Sequence, residues 1–323
     1  MPKTARDNKE LLPRDHGGGL DSAALRYGGA RRDWIDLSTG INPVPYPVGD
    51  IPADAWTALP DSAATARLET AARRFWHIPE AAQVVAANGA SALIAQMPML
   101  ADGHAAYIPG PTYNEHAAAF AAHHQMAHDE NEAAQVQIYV HPNNPDGRLA
   151  DADTIGGRFL TVIDESFCDV APDTSHIART ADQGVVILKS FGKFWGLAGL
   201  RLGFAIGQPE TLAPLPDLLG PWAVSGPALE IGARALEDHA WADATRARLT
   251  ADAARLDALM ARHGTLVGGT TLFRLYDVGD AAAFQARLAQ HHIWSRIFPY
   301  SCGWVRLGLP APDGWSPVEG ALA

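Results

Sequence analysis

Residues 190–204 read SFGKFWGLAGLRLGF, which sets Lys193 among glycine, alanine, leucine and aromatic side chains, with Arg201 eight residues further on. A lysine beside Gly192, Phe194, Trp195 and Gly196 is expected to be partly desolvated, which lowers its pKa and frees the amine to attack a carbonyl. Lys189 competes with it, but it sits inside the apolar run and lacks glycine-rich surroundings, so it reads as structural or surface-facing. Other apolar runs also end in reactive residues. FLTVI is followed by Asp164 and Glu165, and a carboxylate at the end of a buried run either needs a charged partner or caps the next segment. VQIYV is followed by HPNNPDG, where the prolines and Gly147 would hold Asn144 in one orientation. VVAA is followed by Asn88, Gly89, Ala90 and Ser91 at the start of a helical pattern. Small residues there let backbone N–H groups face an anion, and Ser91 reads either as a ligand or as a plain N-cap. Arg306, in VRLGL, places a guanidinium inside an apolar strand, where it calls for a bidentate anion.

A lysine amine, a carboxylate at a neighbouring strand end, a fixed asparagine and an anion site of Ser, Arg and helix N-terminus match the needs of one cofactor. Pyridoxal phosphate has an aldehyde for Lys193, a ring nitrogen that an acid keeps protonated, a phenolic O3′ and a phosphate. Asp164 would make the ring an electron sink by stabilising its protonated nitrogen.

These residues need a scaffold that gathers strand ends. Between about residues 83 and 207, short apolar runs alternate with Ala-rich helical segments, the pattern of βαβ units and a largely parallel sheet. Ligands in such sheets bind at the carboxyl ends of the strands, where the residues above stand. After GPWAVSG (220–226) come two long helical patterns, the second expected to end on Gly264 as its C-terminal cap. The strand-like TTLFRLYD, the helix AAAFQARLAQHH and the strands IWSRIF and GWVRLGL then suggest a smaller α+β region. The fold expected is α/β, with an N-terminal segment (1–45) contributing to the small domain and substrate site, a large cofactor domain (46–222) and a C-terminal small domain (223–323).

Composition narrows the function. The chain of 323 residues carries 36 acidic and 25 basic side chains, a net charge of −11, which leaves no electrostatic footprint for nucleic acid or anionic membrane. A few arginines converging in one pocket still suffice for a small anionic substrate. The two cysteines, Cys168 and Cys302, have no metal-like spacing and suggest no disulfide framework. No apolar export segment precedes HGGG, so a cytoplasmic protein is expected.

Ser190, Lys193 and the following GLAGLRLG with Arg201 resemble the cofactor-anchoring motif of fold-type I pyridoxal-phosphate enzymes of the class I/II aminotransferase superfamily. The resemblance covers nearly the whole chain. It implies that Ser190 and Arg201 hold the cofactor phosphate, beside the Gly89–Ser91 turn read above as an anion site, and that Asn144 binds O3′, Asp164 pairs with the ring nitrogen and Tyr113 of PTY stacks on the ring. HGGGLDSAALRYG, DLSTGINPVPYP and GPWAVSGPALEIG are similar to the threonine-phosphate decarboxylase family of cobalamin biosynthesis, close kin of the histidinol-phosphate aminotransferases. That likeness implies a homodimer and a substrate site of His16, Gly17, Gly40, Asn144, Arg296 and Arg306. Taken by themselves, His16 reads also as a solvated loop residue and Arg296 as a surface ion pair. Two departures stand out. Phe167 replaces a superfamily tyrosine that donates to O3′, and Leu59-Pro60-Asp61 replaces Tyr-Pro-Asp, whose tyrosine reaches the other subunit's cofactor phosphate.

The implied reaction is decarboxylation of threonine phosphate to 1-amino-2-propanol phosphate. One rival is a histidinol-phosphate-type aminotransferase, which breaks the Cα–H bond instead. The other is a non-catalytic binding module or cofactor-dependent regulator on the same fold, against which the intact lysine speaks.

Overall fold

The computed structural model describes residues 16–125 and 134–323, so the first fifteen residues of the expected N-terminal segment lie outside the description. Twelve strands are described: β1 (Ile35–Asp36), β2 (Gln83–Ala87), β3 (Ala106–Tyr107), β4 (Val136–Val140), β5 (Leu160–Asp164), β6 (Val185–Ser190), β7 (Gly203–Gly207), β8 (Thr265–Thr270), β9 (Phe273–Asp277), β10 (Ile293–Trp294), β11 (Arg296–Phe298) and β12 (Ser301–Gly308). The central sheet has the order β2-β7-β6-β5-β4-β3. Strands β3 to β6 run parallel, whereas β7 is antiparallel to both β6 and β2. The last apolar run, LGFAIG, therefore departs from the parallel pattern. Its reversal brings the start of β7, and Arg201 just before it, to the same edge as the carboxyl end of β6.

Every residue of β5 and of β7 is buried, as expected for strands covered on both faces. Within β7 the faces alternate: Phe204 and Ile206 enter the core shared with helices Ser62–Phe75 and Gly226–Glu237, and Ala205 packs toward helix Ala90–Leu100.

The C-terminal part holds an antiparallel sheet of order β11-β12-β9-β8, with helix Ala281–Ala289 between β9 and β10. β1 pairs in parallel with β10, which ties the N-terminal segment to this part of the chain. Three sequence expectations change here. TTLFRLYD is not one strand: Thr271 and Leu272 form the turn of the β8–β9 hairpin, and TLVGGT supplies a strand that its glycines disguised. IWSRIF divides at Ser295, sending Ile293–Trp294 and Arg296–Phe298 to different sheets. Helix His239–Met260 ends four residues before Gly264, whose N–H still reaches the Met260 carbonyl (3.1 Å) but whose backbone is not left-handed. A Cβ at Gly264 would instead collide with the Asp277 carbonyl, so close strand approach accounts for the glycine.

Candidate active site

The ends of β4, β5 and β6, the start of helix Ala90–Leu100 and the β11–β12 hairpin surround one cavity of about 430 Å³. Lys193 lies on its wall, in the turn that follows β6, with its amine 5.3 Å from the centroid of Phe167. Burial and the Arg306 guanidinium, with Arg201 adding to them, pull this amine down to about 8 against the opposing effect of Asp164. The turn is pinned from the N-terminal segment: the Lys193 carbonyl accepts from Asn42 N–H (3.0 Å), and the Phe194 carbonyl accepts from the Asn42 side chain (2.8 Å). Gly196, at φ 69°, permits that contact, since a Cβ would stand 2.7 Å from Pro45 Cα.

Asp164 closes β5 as a buried carboxylate and serves both roles open to it in the sequence. Oδ1 accepts from Ser166 N–H (3.0 Å) and Ser166 Oγ (2.5 Å), a local cap, while Oδ2 lies 2.9 Å from Nε2 of fully buried His116. Burial by itself would raise the Asp164 pKa. The hydrogen bond and charge of His116 and the Ser166 bonds outweigh it and hold the group below its ordinary value, as a carboxylate.

The residues expected to cradle an anion come together where β7 begins. Arg201 has a left-handed backbone (φ 53°) and donates Nη1–H to the Ala198 carbonyl (3.0 Å). Its guanidinium crosses Gly89, where a Cβ would overlap it, and the backbone at Gly203 touches Ala90 with no room for a side chain. The N-terminus of the eleven-residue helix Ala90–Leu100 thus opens beside a guanidinium, with Ser91 and Ser190 also on the cavity wall. Gly89 lies behind Arg201 and not on the wall itself.

Asn144 belongs to a loop held chiefly by its neighbour. The Asn143 side chain donates to Asp146 Oδ1 (2.8 Å) and the Pro111 carbonyl (3.0 Å) and accepts from Thr112 Oγ (2.6 Å), and Gly147 N–H returns to the Asn143 carbonyl (2.7 Å). Asn144 Oδ1 accepts from Arg306 Nη1. Arg306 also donates Nη2–H to the Ser38 carbonyl (2.7 Å) and sits 5.0 Å from the Phe273 ring centroid. Arg296 is its cross-strand partner on β11, and both arginines face the cavity. Arg296 is half-buried there.

His16, Gly17 and Gly40 complete the wall. A Cβ at Gly40 would come within 2.9 Å of both Phe167 and Phe273. Tyr113 also faces the cavity, its hydroxyl pushed up to about 12 by burial and by Asp164 and Glu115. Apart from Gly89, every site residue singled out in the sequence borders this one space.

Lys189 has another place. It is 2 % exposed, its amine 2.7 Å from Glu165 Oε2 and 3.5 Å from Asp169 Oδ1, which corrects the surface-facing alternative. The pair explains how Glu165 is tolerated in the core: burial would raise it, and Lys189 pulls it below its ordinary range. Sequence reading missed His116, Ser166 and Asn143. A histidine one helical turn after Tyr113 in an otherwise Ala-rich helix was a signal, whereas nothing marked Ser38, whose carbonyl accepts from Arg306.

A family model described as aminotransferase class I and II matches residues 53–313. The chain is 41% identical to a threonine-phosphate decarboxylase of Sinorhizobium sp. over 318 residues, 92% of this chain and 93% of that protein. A Pseudomonas aeruginosa protein of the same name is 37% identical, over 95% and 97% of the two chains. Among solved structures, histidinol-phosphate aminotransferase from Sinorhizobium meliloti in complex with pyridoxal-5′-phosphate superposes with a TM-score of 0.81 at 18% identity, over 99% of this chain and 97% of that one. L-threonine-O-3-phosphate decarboxylase from Porphyromonas gingivalis gives 0.73 at 19%, over 88% and 97%. At such identities the structures speak for the fold alone. With a lysine and a carboxylate facing one cavity, an anion cradle at its edge and the family model matched over most of the sequence, this chain belongs to the class I and II aminotransferase family of pyridoxal-phosphate enzymes.

Proposed function

We propose that the chain is a pyridoxal-phosphate-dependent decarboxylase that converts L-threonine O-3-phosphate to (R)-1-amino-2-propanol O-2-phosphate in cobalamin biosynthesis. The observation that carries this reading is the pairing of Arg296 with Arg306 on β11 and β12, both facing the cavity of Lys193 and Asp164. Two guanidiniums suit a substrate with two anionic groups, a carboxylate and a phosphate. The near full-length likeness to proteins named threonine-phosphate decarboxylase supports the same substrate.

The residues present fit the cofactor: a cradle in which Gly89 leaves room for Arg201, a carboxylate held ionised at Asp164 and an amine with a lowered pKa at Lys193. In this assignment Ala90, Ser91, Ser190 and Arg201 hold its phosphate, Gly89 serves by leaving room for Arg201, Tyr113 covers its ring, Asn144 meets O3′ and Asp164 meets its nitrogen. Phe167 has no hydroxyl, so Asn144 carries the O3′ contact without that tyrosine's help. Pyridoxal phosphate, when bound, supplies an aldehyde for amines and a ring that takes up an electron pair. Arg306, fixed by Asn144 and Ser38, together with Arg296, His16, Gly17 and Gly40, holds the substrate, and its orientation decides which bond at Cα breaks. As carbon dioxide leaves, the electron pair of the broken bond ends in a new Cα–H bond whose proton Lys193 delivers.

Purified holoenzyme given carboxyl-labelled O-phospho-L-threonine should release labelled carbon dioxide and an amine product with no 2-oxoglutarate present. Glutamate formation from histidinol phosphate and 2-oxoglutarate, without carbon dioxide from phosphothreonine, would establish the aminotransferase instead. The assignment includes a cytoplasmic location and a homodimer, the latter supported by the exposed apolar side chains of Trp56 (66 %), Leu59 (67 %) and Trp222 (58 %). It also includes a cofactor domain of 46–222, spanning β2 to β7, and a small domain of 223–323 joined by the segment up to residue 45.

A further inference from the structure

His16 is held from two sides. The two glycines after it belong to the small-domain side: Gly18 N–H donates to Ser38 Oγ (2.7 Å), the Gly18 carbonyl accepts from Trp294 Nε1 (2.9 Å), and Gly17 packs on the Ser38 carbonyl with no space for a Cβ. Its ring, however, turns to the other wall. Nε2 lies 3.1 Å from Oε1 of Glu115, in the first turn of helix Asn114–Ala122, and the ring stands 6.2 Å from that of Tyr113 at a tilt of 51°. With Nε2 at ion-pair distance from the carboxylate, though not in a hydrogen bond with it, Nδ1 is the nitrogen left for a ligand in the cavity that His16 lines.

An acid so near an anion pocket is unfavourable unless it does something there. Glu115 is mostly covered (18 % exposed), so its charge is felt across the site. A ring that meets a carboxylate at one nitrogen and a phosphate at the other donates at both, and the carboxylate is then the counter-charge for that ring.

We propose that Glu115 is a positioning and specificity residue: by holding His16 Nε2 it aims Nδ1 at the phosphate of the substrate. This rests on the phosphorylated-substrate reading above. It adds a residue whose role is to act through His16, and it predicts selective loss of phosphate recognition with the chemistry intact.

The test is a double-mutant cycle in the holoenzyme with Glu115→Gln, His16→Gln and the pair, with Glu115→Ala as a second replacement. The measurements are kcat and KM for O-phospho-L-threonine and the Kd of inorganic phosphate by calorimetry. Glu115→Gln should raise both KM and the phosphate Kd about tenfold with kcat within about twofold, and the double variant should bind no more weakly than His16→Gln alone. Glu115→Ala should behave as Glu115→Gln does. An unchanged KM and Kd in both Glu115 variants, or effects that add fully to those of His16→Gln, would overturn the proposal. Phosphate binding reads the pair without any turnover: if the wild type releases no carbon dioxide yet the phosphate cycle couples, the decarboxylase reading fails while the role of Glu115 stands.

Discussion

Lys193 and Asp164 are opposite outcomes of burial. The lysine amine, desolvated and flanked by Arg306 and Arg201, is neutral above about pH 8, whereas the Asp164 carboxyl, held by His116 and Ser166, stays ionised despite burial. In the cofactor-free chain, capture of added pyridoxal phosphate should therefore speed up as pH rises and level off above about 8, well short of the ordinary lysine value of 10.5. Arg306→Leu removes one of the cations and should move that midpoint upward, as stopped-flow absorbance would record. A midpoint that stays put would remove Arg306 from the causes of the shift. Lys193→Ala should leave no borohydride-reducible adduct and no turnover, and an adduct that persists would assign the chemistry to another lysine. Asp164→Asn should still bind cofactor but lose roughly 100-fold or more in kcat, since an amide offers the ring nitrogen no charge. Full activity in that variant would refute the electron-sink role.

At the scale of elements, the site depends on how strands end and turn. The buried Lys189–Glu165 pair anchors the end of β6 to the residue after Asp164, and Asp169 beside it accepts from the indoles of Trp76 (2.9 Å) and Trp195 (3.2 Å). Lys189→Met should destabilise the chain by about 3–5 kcal/mol in urea unfolding, because it leaves Glu165 buried without its counter-charge. A loss below about 1 kcal/mol would show that the core accommodates the bare acid. Gly89→Ala meets both a left-handed backbone (φ 85°) and the Arg201 guanidinium, so it should weaken cofactor retention far more than it lowers the melting temperature. Equilibrium dialysis beside thermal melts separates the two effects. Equal losses in both would assign Gly89 to folding and not to the cradle.

Across the whole molecule, the cavity lies where the parallel sheet, the antiparallel sheet and the N-terminal segment meet. Asn42 spans that junction: it bonds the lysine turn on one side and accepts from Arg248 of helix His239–Met260 on the other (2.6 Å). The exposed Trp56 and Trp222 belong to the outer surface at the same scale. If they lie in a subunit contact, Trp56→Glu with Trp222→Glu should convert a dimer to a monomer in sedimentation analysis. A double variant that sediments as the wild type would move the contact elsewhere.

The sequence by itself determined the chemistry-bearing positions along the parallel part of the sheet. A buried strand writes itself as an apolar run, and the residue that ends the run must stand at the sheet edge; Asp164, Asn144, Lys193 and the Gly89–Ser91 turn were legible for that reason. Glycine-bearing β8 and the division of IWSRIF were not, because hairpin register and sheet membership depend on partners far along the chain. Glycine-rich surroundings favoured Lys193 over Lys189, but only the fold shows where Lys189 goes, onto Glu165 in the core and not to the surface. His116 meets Asp164 across 48 residues, and Arg306 meets the Ser38 carbonyl across 268. Contacts of that kind arise from packing in three dimensions, which leaves no periodic trace in a linear chain.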